Sequence, residues 1–95
     1  MTEKTHAVPN GVIHYWMNDF QPGRAVLVFL PGLTADHRLF DKQVEAFEST
    51  YNLLAWDAPG HGKSRPFAMD FTLAQKAAWL HAILQAEGIT APVLV

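Results

Sequence analysis

Apolar residues along this chain are concentrated in five short segments, separated by polar or glycine-rich stretches. The most uniform segment is Ala25–Leu30, in which every residue is apolar. A short run without polar residues is typical of a strand buried on both faces, as in a parallel sheet. Pro31-Gly32 ends it abruptly, because proline has no N–H for a sheet ladder and glycine tolerates backbone angles that other residues avoid. The predicted strands are Glu3–Val8, Val12–Met17, Ala25–Leu30, Asn52–Trp56 and Pro92–Val95.

A hairpin is predicted at the N-terminus, where Pro9-Asn10-Gly11 separates the first two strands. Asn-Gly favours the two-residue turns that join antiparallel strands, because both residues tolerate a positive φ. We therefore expect these two strands to pair with each other.

The first predicted helix opens over residues 35–37 and runs for about ten residues. Asp36 is a good N-cap, because its carboxylate can accept backbone N–H groups that have no partner inside the helix. Phe40, Val44 and Phe47 recur at helical spacing and form one apolar face.

The second predicted helix begins at Thr72, which forms a capping box with Gln75. Gly88 is suited to end it, because glycine readily takes the left-handed conformation that follows many helices. Its predicted apolar stripe consists of Leu73, Ala77, Leu80 and Leu84.

In chain order the predicted elements are β-β-β-α-β-α-β. Strands that alternate with helices indicate right-handed crossovers, so we predict an α/β fold with a mostly parallel sheet and an antiparallel N-terminal hairpin. Residues 1–95 contain no linker or repeat and are expected to form a single domain. Val95 lies within an apolar strand, and a bare apolar edge invites aggregation, so we expect this domain to be truncated.

Charge and composition exclude several classes of function. The formal charge is −2, from 7 basic and 9 acidic residues, without the basic block expected for nucleic acid or an anionic membrane. Cysteine is absent, and the five histidines lack metal-ligand spacing, so we expect no metal and no cofactor. The polar N-terminus lacks the apolar core of a signal peptide, and no run approaches the roughly 18 apolar residues of a membrane helix. A cytoplasmic location is the expectation.

Two loops carry the candidate chemistry, and each follows a predicted buried strand. The first is Pro31-Gly32-Leu33-Thr34, and the second is Asp57-Ala58-Pro59-Gly60-His61-Gly62-Lys63-Ser64. Together with the hairpin, these loops resemble the N-terminal part of the α/β-hydrolase fold. The resemblance covers essentially the whole chain, and Asp-x-x-Gly-x-Gly-x-Ser after the fourth strand is its more specific part.

The resemblance implies a hydrolase that acts on small ester-, thioester- or amide-like substrates through an acyl-enzyme. In that fold the turn after the third strand supplies one N–H of the oxyanion hole, and the matching donor is the backbone N–H of Leu33. Gly32, Leu33 and Thr34 would then contact substrate. Family members that cleave epoxides or carbon–halogen bonds tend to carry proline at the position of Thr34, so threonine favours acyl hydrolysis. The family often has His-Gly where this chain has Pro31-Gly32.

The resemblance places the nucleophile on a Gly-x-Ser-x-Gly elbow after the fifth strand, and no such motif occurs in residues 1–95. The chain alone is therefore expected to be inactive and to need the C-terminal part of the same fold or a complementary chain. In the second loop, Asp57, Gly60, Gly62 and Ser64 are expected to be structural. Ser64 with His61 as its base is a weaker catalytic alternative, because adjacent loop side chains seldom reach triad geometry.

Two other interpretations of the function remain open. Gly62-Lys63-Ser64 matches the last three residues of the phosphate-binding P-loop motif, although Asp57 replaces the first glycine of that motif. The chain could also be a non-catalytic fragment or interaction module. His37 and Phe40 could reach the pocket beside the first loop, although a core position suits Phe40 better.

Overall fold

A five-stranded mixed sheet organises the chain, and the computed structural model describes residues 1–95. The strands lie in the order β1-β2-β4-β3-β5. The β1–β2 and β2–β4 pairs are antiparallel, whereas β3 pairs in parallel with both β4 and β5. This confirms the predicted α/β class and the N-terminal hairpin. The strand bounds are Thr2–Val8 for β1, Gly11–Met17 for β2, Val26–Phe29 for β3, Asn52–Trp56 for β4 and Val93–Leu94 for β5.

Strand β3 lies between β4 and β5, with Val28 in register with Leu54 on one side and Leu94 on the other. Since β3 and β4 are parallel, their carboxyl ends meet at the same edge of the sheet. The loops that follow them, which begin at Pro31 and Asp57, are therefore neighbours. This arrangement positions the candidate site.

Both predicted helices are present. A 3₁₀ turn over His37–Phe40 leads into α1 (Asp41–Phe47), and Asp36 caps it by accepting from the Arg38 N–H at 3.0 Å. Helix α2 (Leu73–Ala86) begins with the predicted capping box between Thr72 and Gln75. Neither helix is both long and apolar enough to cross a bilayer.

The apolar face of α2 differs from the predicted stripe. Ile83 and Leu84 are buried, but Leu73 is 82% exposed. The reason is that only the last turns of α2 lie on the main core, beside Ile13 and Val28. The first turns overlie an open groove of about 230 Å³, whose apolar lining residues are Leu30, Pro31, Trp56, Leu73, Ala77 and Leu80.

The C-terminal end of α2 is tied to the hairpin through Glu87. The Tyr15 hydroxyl donates to Glu87 at 2.6 Å, and the Lys4 ammonium donates at 2.8 Å. Burial raises the pKa of Glu87, but the hydrogen bonds from Lys4 and Tyr15 outweigh it, so the pKa lies below its ordinary value of 4.5. Burial and the neighbouring carboxylate raise the pKa of the Tyr15 hydroxyl.

Acidification is expected to weaken this tie. Because the folded-state pKa of Glu87 lies below its unfolded value, its contribution to stability is complete above pH 4.5 and is lost as the pH falls through the folded-state pKa. Glu87→Gln should therefore lower the urea midpoint at pH 7 and flatten its fall between about pH 5 and pH 3. Glu45→Gln, on an exposed face of α1, is the matched control. Equal pH profiles for wild type and Glu87→Gln would contradict the assignment.

Candidate functional site

The turn after β3 presents an unpaired backbone donor. The Ala35 N–H donates to the Gly32 carbonyl at 3.1 Å and closes a four-residue turn. Thr34, the third residue of this turn, has a φ of 68°, as in a type II turn. The Leu33 N–H makes no hydrogen bond within the chain, and the Leu33 residue is 85% exposed. The turn therefore leaves one N–H free at the carboxyl edge of the sheet.

Thr34 holds an unfavourable backbone conformation. A β-branched residue at positive φ is a genuine outlier, which costs on the order of 1–3 kcal/mol and persists only where the surrounding structure imposes it. Proline could not replace it here, because the proline ring fixes φ near −65°. The turn is thus a strained segment whose shape depends on what anchors its ends.

The loop after β4 is built around the Asp57 carboxylate, which is fully buried. Its Oδ1 accepts from the His37 N–H at 2.7 Å and lies 2.8 Å from His37 Nδ1. Its Oδ2 accepts from the Lys63 N–H at 2.8 Å. One carboxylate therefore joins the segment after β3 to the loop after β4.

The glycines of this loop make room for other residues. Gly62 has a φ of 49°, and a Cβ there would collide with the Asp57 carboxylate. Gly60 has a φ of 82°, and a Cβ there would collide with the Met69 side chain. Gly62 therefore demands glycine for close approach as well as for backbone angle, whereas Gly60 favours it for its positive φ, because the exposed Met69 side chain can move aside.

Ser64 is fully buried and lies between two strands. Its hydroxyl donates to the Asp57 carbonyl at 2.6 Å and accepts from the His14 N–H at 2.9 Å. The His61 imidazole instead contacts the Pro59 carbonyl at 3.2 Å. The Ser64 hydroxyl is thus engaged in joining β2 to the end of β4, and it has no imidazole partner of the kind a nucleophile needs.

His37 connects the two loops to the hairpin. Its imidazole stacks on the Trp16 indole with ring centroids 3.5 Å apart and planes inclined by 18°. The sequence indicated that His37 could reach the pocket, but gave no sign that Asp57 and Trp16 would hold it. Only the antiparallel pairing of β2 with β4 brings Trp16 beside this turn.

A polar cleft of about 360 Å³ lies between residues 36–38 and the loop after β4. Three cations line it, and two are paired: Arg38 with Asp36 at 2.6 Å and Lys63 with Glu3 at 3.0 Å. The Arg38 side chain holds the pKa of Asp36 down to about 2. The third cation, Arg65, donates from Nε to the Gly62 carbonyl at 3.1 Å.

One group of side chains has ligand atoms close enough for a metal ion. The atoms of Asp36, His37 and Asp57 lie within 4.8 Å of one another. However, the Asp57 carboxylate already accepts two backbone N–H groups, and Asp36 is held by the Arg38 guanidinium. These hydrogen bonds account for the cluster as a structural arrangement.

The phosphate-binding alternative does not fit the loop. A P-loop continues directly into a helix, whereas α2 starts at Leu73, well after Ser64. The Ser64 hydroxyl is buried, and the Lys63 ammonium is paired with Glu3. The two side chains that would hold phosphate and Mg²⁺ are therefore directed elsewhere.

Comparison with solved structures identifies several hydrolases of the same architecture. The enzyme MGS-M2, from a Medee basin deep-sea metagenome library, superposes with a TM-score of 0.84 at 22% identity, over 96% of this chain and 34% of its own. The N-acyl homoserine lactonase AidH gives a TM-score of 0.82 at 23% identity, over 99% and 35%. A haloalkane dehalogenase from Bradyrhizobium elkanii gives 0.81 at 18% identity, over 98% and 30%.

The chain thus spans about a third of the length of these structures. A search of curated protein sequences finds no match. The family model described as the alpha/beta hydrolase fold matches residues 25–95, which include β3, both loops, both helices and β5. The chain therefore belongs to the alpha/beta hydrolase fold family.

Proposed function

We propose that this chain supplies the oxyanion side of an acyl-hydrolase active site, with the Leu33 N–H as one donor. The observation that carries the proposal is the unpaired Leu33 N–H in the turn after β3. Gly32 leaves open space on this turn, since no atom beyond Gly32 and its two chain neighbours lies within 4 Å of the position that a Cβ would take. A substrate carbonyl could therefore approach the backbone closely.

The chemistry follows from charge development. Attack on an ester, thioester or amide carbonyl places negative charge on its oxygen, and a fixed N–H aimed at that oxygen lowers the barrier. The Leu33 side chain would line the acyl pocket, with Gly32 and Thr34 as further substrate contacts. A second donor would come from the residue beside the nucleophile. No step of this chemistry requires a cofactor.

Two observations favour acyl transfer over the other reactions of the family: the conformation of the turn after β3 and one structurally similar protein. The positive φ of Thr34 is closed to proline, which family members that cleave epoxides or carbon–halogen bonds tend to carry there. The AidH structure is named for an N-acyl homoserine lactone, which is a cyclic ester. A small carboxylic ester is therefore the substrate class that we propose.

We further propose that the nucleophile, acid and histidine come from polypeptide that completes the hydrolase fold. Residues 1–95 hold no Gly-x-Ser-x-Gly motif, and the Ser64 hydroxyl is buried and occupied. The groove beside α2 and the edge of β5, where Val93 is 51% exposed, are apolar surfaces that such polypeptide would cover.

The test is an assay with nitrophenyl acetate. The 95-residue chain should show no turnover, whereas the complemented protein (the chain joined at Val95 to the polypeptide that its reading frame encodes next) should hydrolyse the ester with burst kinetics. Turnover by the chain alone that disappears in Ser64→Ala would overturn the assignment of the triad. A reading frame without a nucleophile elbow after Val95 would instead favour a non-catalytic interaction module, the second candidate that the exposed groove supports.

A further inference from the structure

His37 connects the turn after β3 to two other parts of the chain, strand β2 and the loop after β4. Its imidazole lies against Trp16 of β2, which is 8% exposed, at 3.5 Å between ring centroids. The Nδ1 atom lies 2.8 Å from the Oδ1 of Asp57, which is fully buried. The ring is therefore fixed in both orientation and position by groups that are themselves buried.

The hydrogen bonds around Asp57 indicate the direction of the contact with His37. Its Oδ1 accepts the His37 backbone N–H, and its Oδ2 accepts the Lys63 N–H. Since both oxygens already act as acceptors, we assign the shared proton to Nδ1, so that the imidazole donates to the carboxylate. Main chain and side chain of His37 thus donate to the same oxygen, which fixes the residue at two points.

The turn itself has few internal restraints. One hydrogen bond, Ala35 N–H to the Gly32 carbonyl at 3.1 Å, closes it. Gly32 and Leu33 are exposed, and Thr34 holds a positive φ that a β-branched residue disfavours. A strained conformation of this kind persists only where the surroundings impose it. The first firm attachment after Thr34 is at His37.

We propose that His37 is a positioning residue for the Leu33 N–H. The imidazole, held between Trp16 and the Asp57 carboxylate, fixes the end of the turn and so keeps the Leu33 N–H in a constant position. The catalytic consequence rests on the proposed function, but the restraint on the turn does not. The hairpin, although remote in sequence, is thereby part of the support of the site.

Variants at His37 can separate the two contacts of its side chain. His37→Asn keeps a donor near the position of Nδ1 and loses the stacked ring, whereas His37→Phe keeps a ring against Trp16 and loses the donor. His37→Ala removes both. The control is His81→Ala, at an exposed position on α2.

The primary measurement is ¹⁵N relaxation of the 95-residue chain, with the urea midpoint recorded in parallel. The Leu33 and Thr34 amides should have order parameters near about 0.85 in wild type and below about 0.6 in His37→Ala. Intermediate values are expected for the Asn and Phe variants, while Val28 and Leu54 in the sheet should keep their values in all of them. In the complemented protein, His37→Ala should lower kcat about tenfold or more with KM nearly unchanged.

Two results would overturn the proposal. One is an order parameter at Leu33 that is unchanged in all three variants. The other is a loss of order that is equal at Leu33, Val28 and Leu54, because that result describes a general loss of stability. If His37→Ala does not fold, the order parameters of the Asn and Phe variants are compared instead, since each variant keeps one of the two side-chain contacts. A turn that loosens without any change in kcat would refute the oxyanion role of Leu33 and leave the positioning role intact.

Discussion

Asp57→Ala is expected to lower the free energy of unfolding by about 3–5 kcal/mol, because it leaves three donors without an acceptor in a buried position. Two of these are the backbone N–H groups of His37 and Lys63, and the third is the His37 imidazole. An unsatisfied buried donor costs about 1–3 kcal/mol, and the missing carboxylate adds a cavity. The loss is a large fraction of the 5–15 kcal/mol that stabilises a typical domain.

Urea unfolding of the 95-residue chain checks this prediction. Asp19→Ala is the matched control, because the Asp19 carboxylate is exposed and makes a single 3.4 Å contact with Gln21. Asp57→Asn should lie between the control and Asp57→Ala, since an amide oxygen can serve only part of the donor set. A loss below about 1 kcal/mol for Asp57→Ala, the net value of one ordinary hydrogen bond, would show that the carboxylate does not hold the two loops together.

Leu33→Pro is expected to lower kcat for ester hydrolysis by about 10²–10³-fold in the complemented protein, equivalent to about 3–4 kcal/mol of transition-state stabilisation. The substitution removes the backbone N–H and replaces the leucine side chain with the smaller proline ring, so the side-chain contribution needs a separate control. Leu33 occupies the second position of the type II turn, where proline is favoured, so the main-chain path should survive. The preceding Gly32 also tolerates the restriction that proline places on its neighbour.

Leu33→Ala is the control, because it keeps the N–H and removes the side chain. We expect its effect to fall mainly on KM, through lost contact with the acyl group, and its kcat to stay within about tenfold of wild type. Burst and steady-state kinetics with nitrophenyl esters separate these parameters. An equal fall in kcat for Leu33→Pro and Leu33→Ala would assign the effect to the side chain and would contradict the oxyanion role.

The comparison between sequence and structure is clearest at the two loops. Gly60 and Gly62 are predicted from the sequence to be structural in the second loop, but only the fold identifies the Asp57 carboxylate as the group that excludes a side chain at Gly62. Asp57 is predicted from the sequence to be a structural residue of the second loop. The structure shows that it also binds the 3₁₀ turn at His37, 20 residues earlier in the chain. A sequence motif identifies residues that contact one another within one loop. Hydrogen-bond partners from another element depend on the order of the strands in the sheet.

Helix α2 shows the opposite case, in which a local pattern was insufficient. Leu73 and Ala77 have the spacing of a buried stripe, yet both are exposed here, while Ile83 and Leu84 meet the core. Helical periodicity gives the direction of an apolar face but not the length over which a neighbour covers it. The position of α2 relative to the end of the sheet decides that length.

For this protein the sequence by itself determined the order of elements, the hairpin, the capping of α2 and the strands that precede the two loops. Those features depend on short-range spacing, turn residues and caps, which act within a few residues of the chain. Only the tertiary structure decided that β2 lies beside β4 and so brings Trp16 against His37. It also decided that the Leu33 N–H in the turn Pro31–Thr34, a turn predicted from the end of an apolar strand, stays unpaired, and that the buried Asp57 carboxylate joins the segment after this turn to the loop after β4. These contacts join residues that are distant in sequence, and no local pattern encodes which of them will meet.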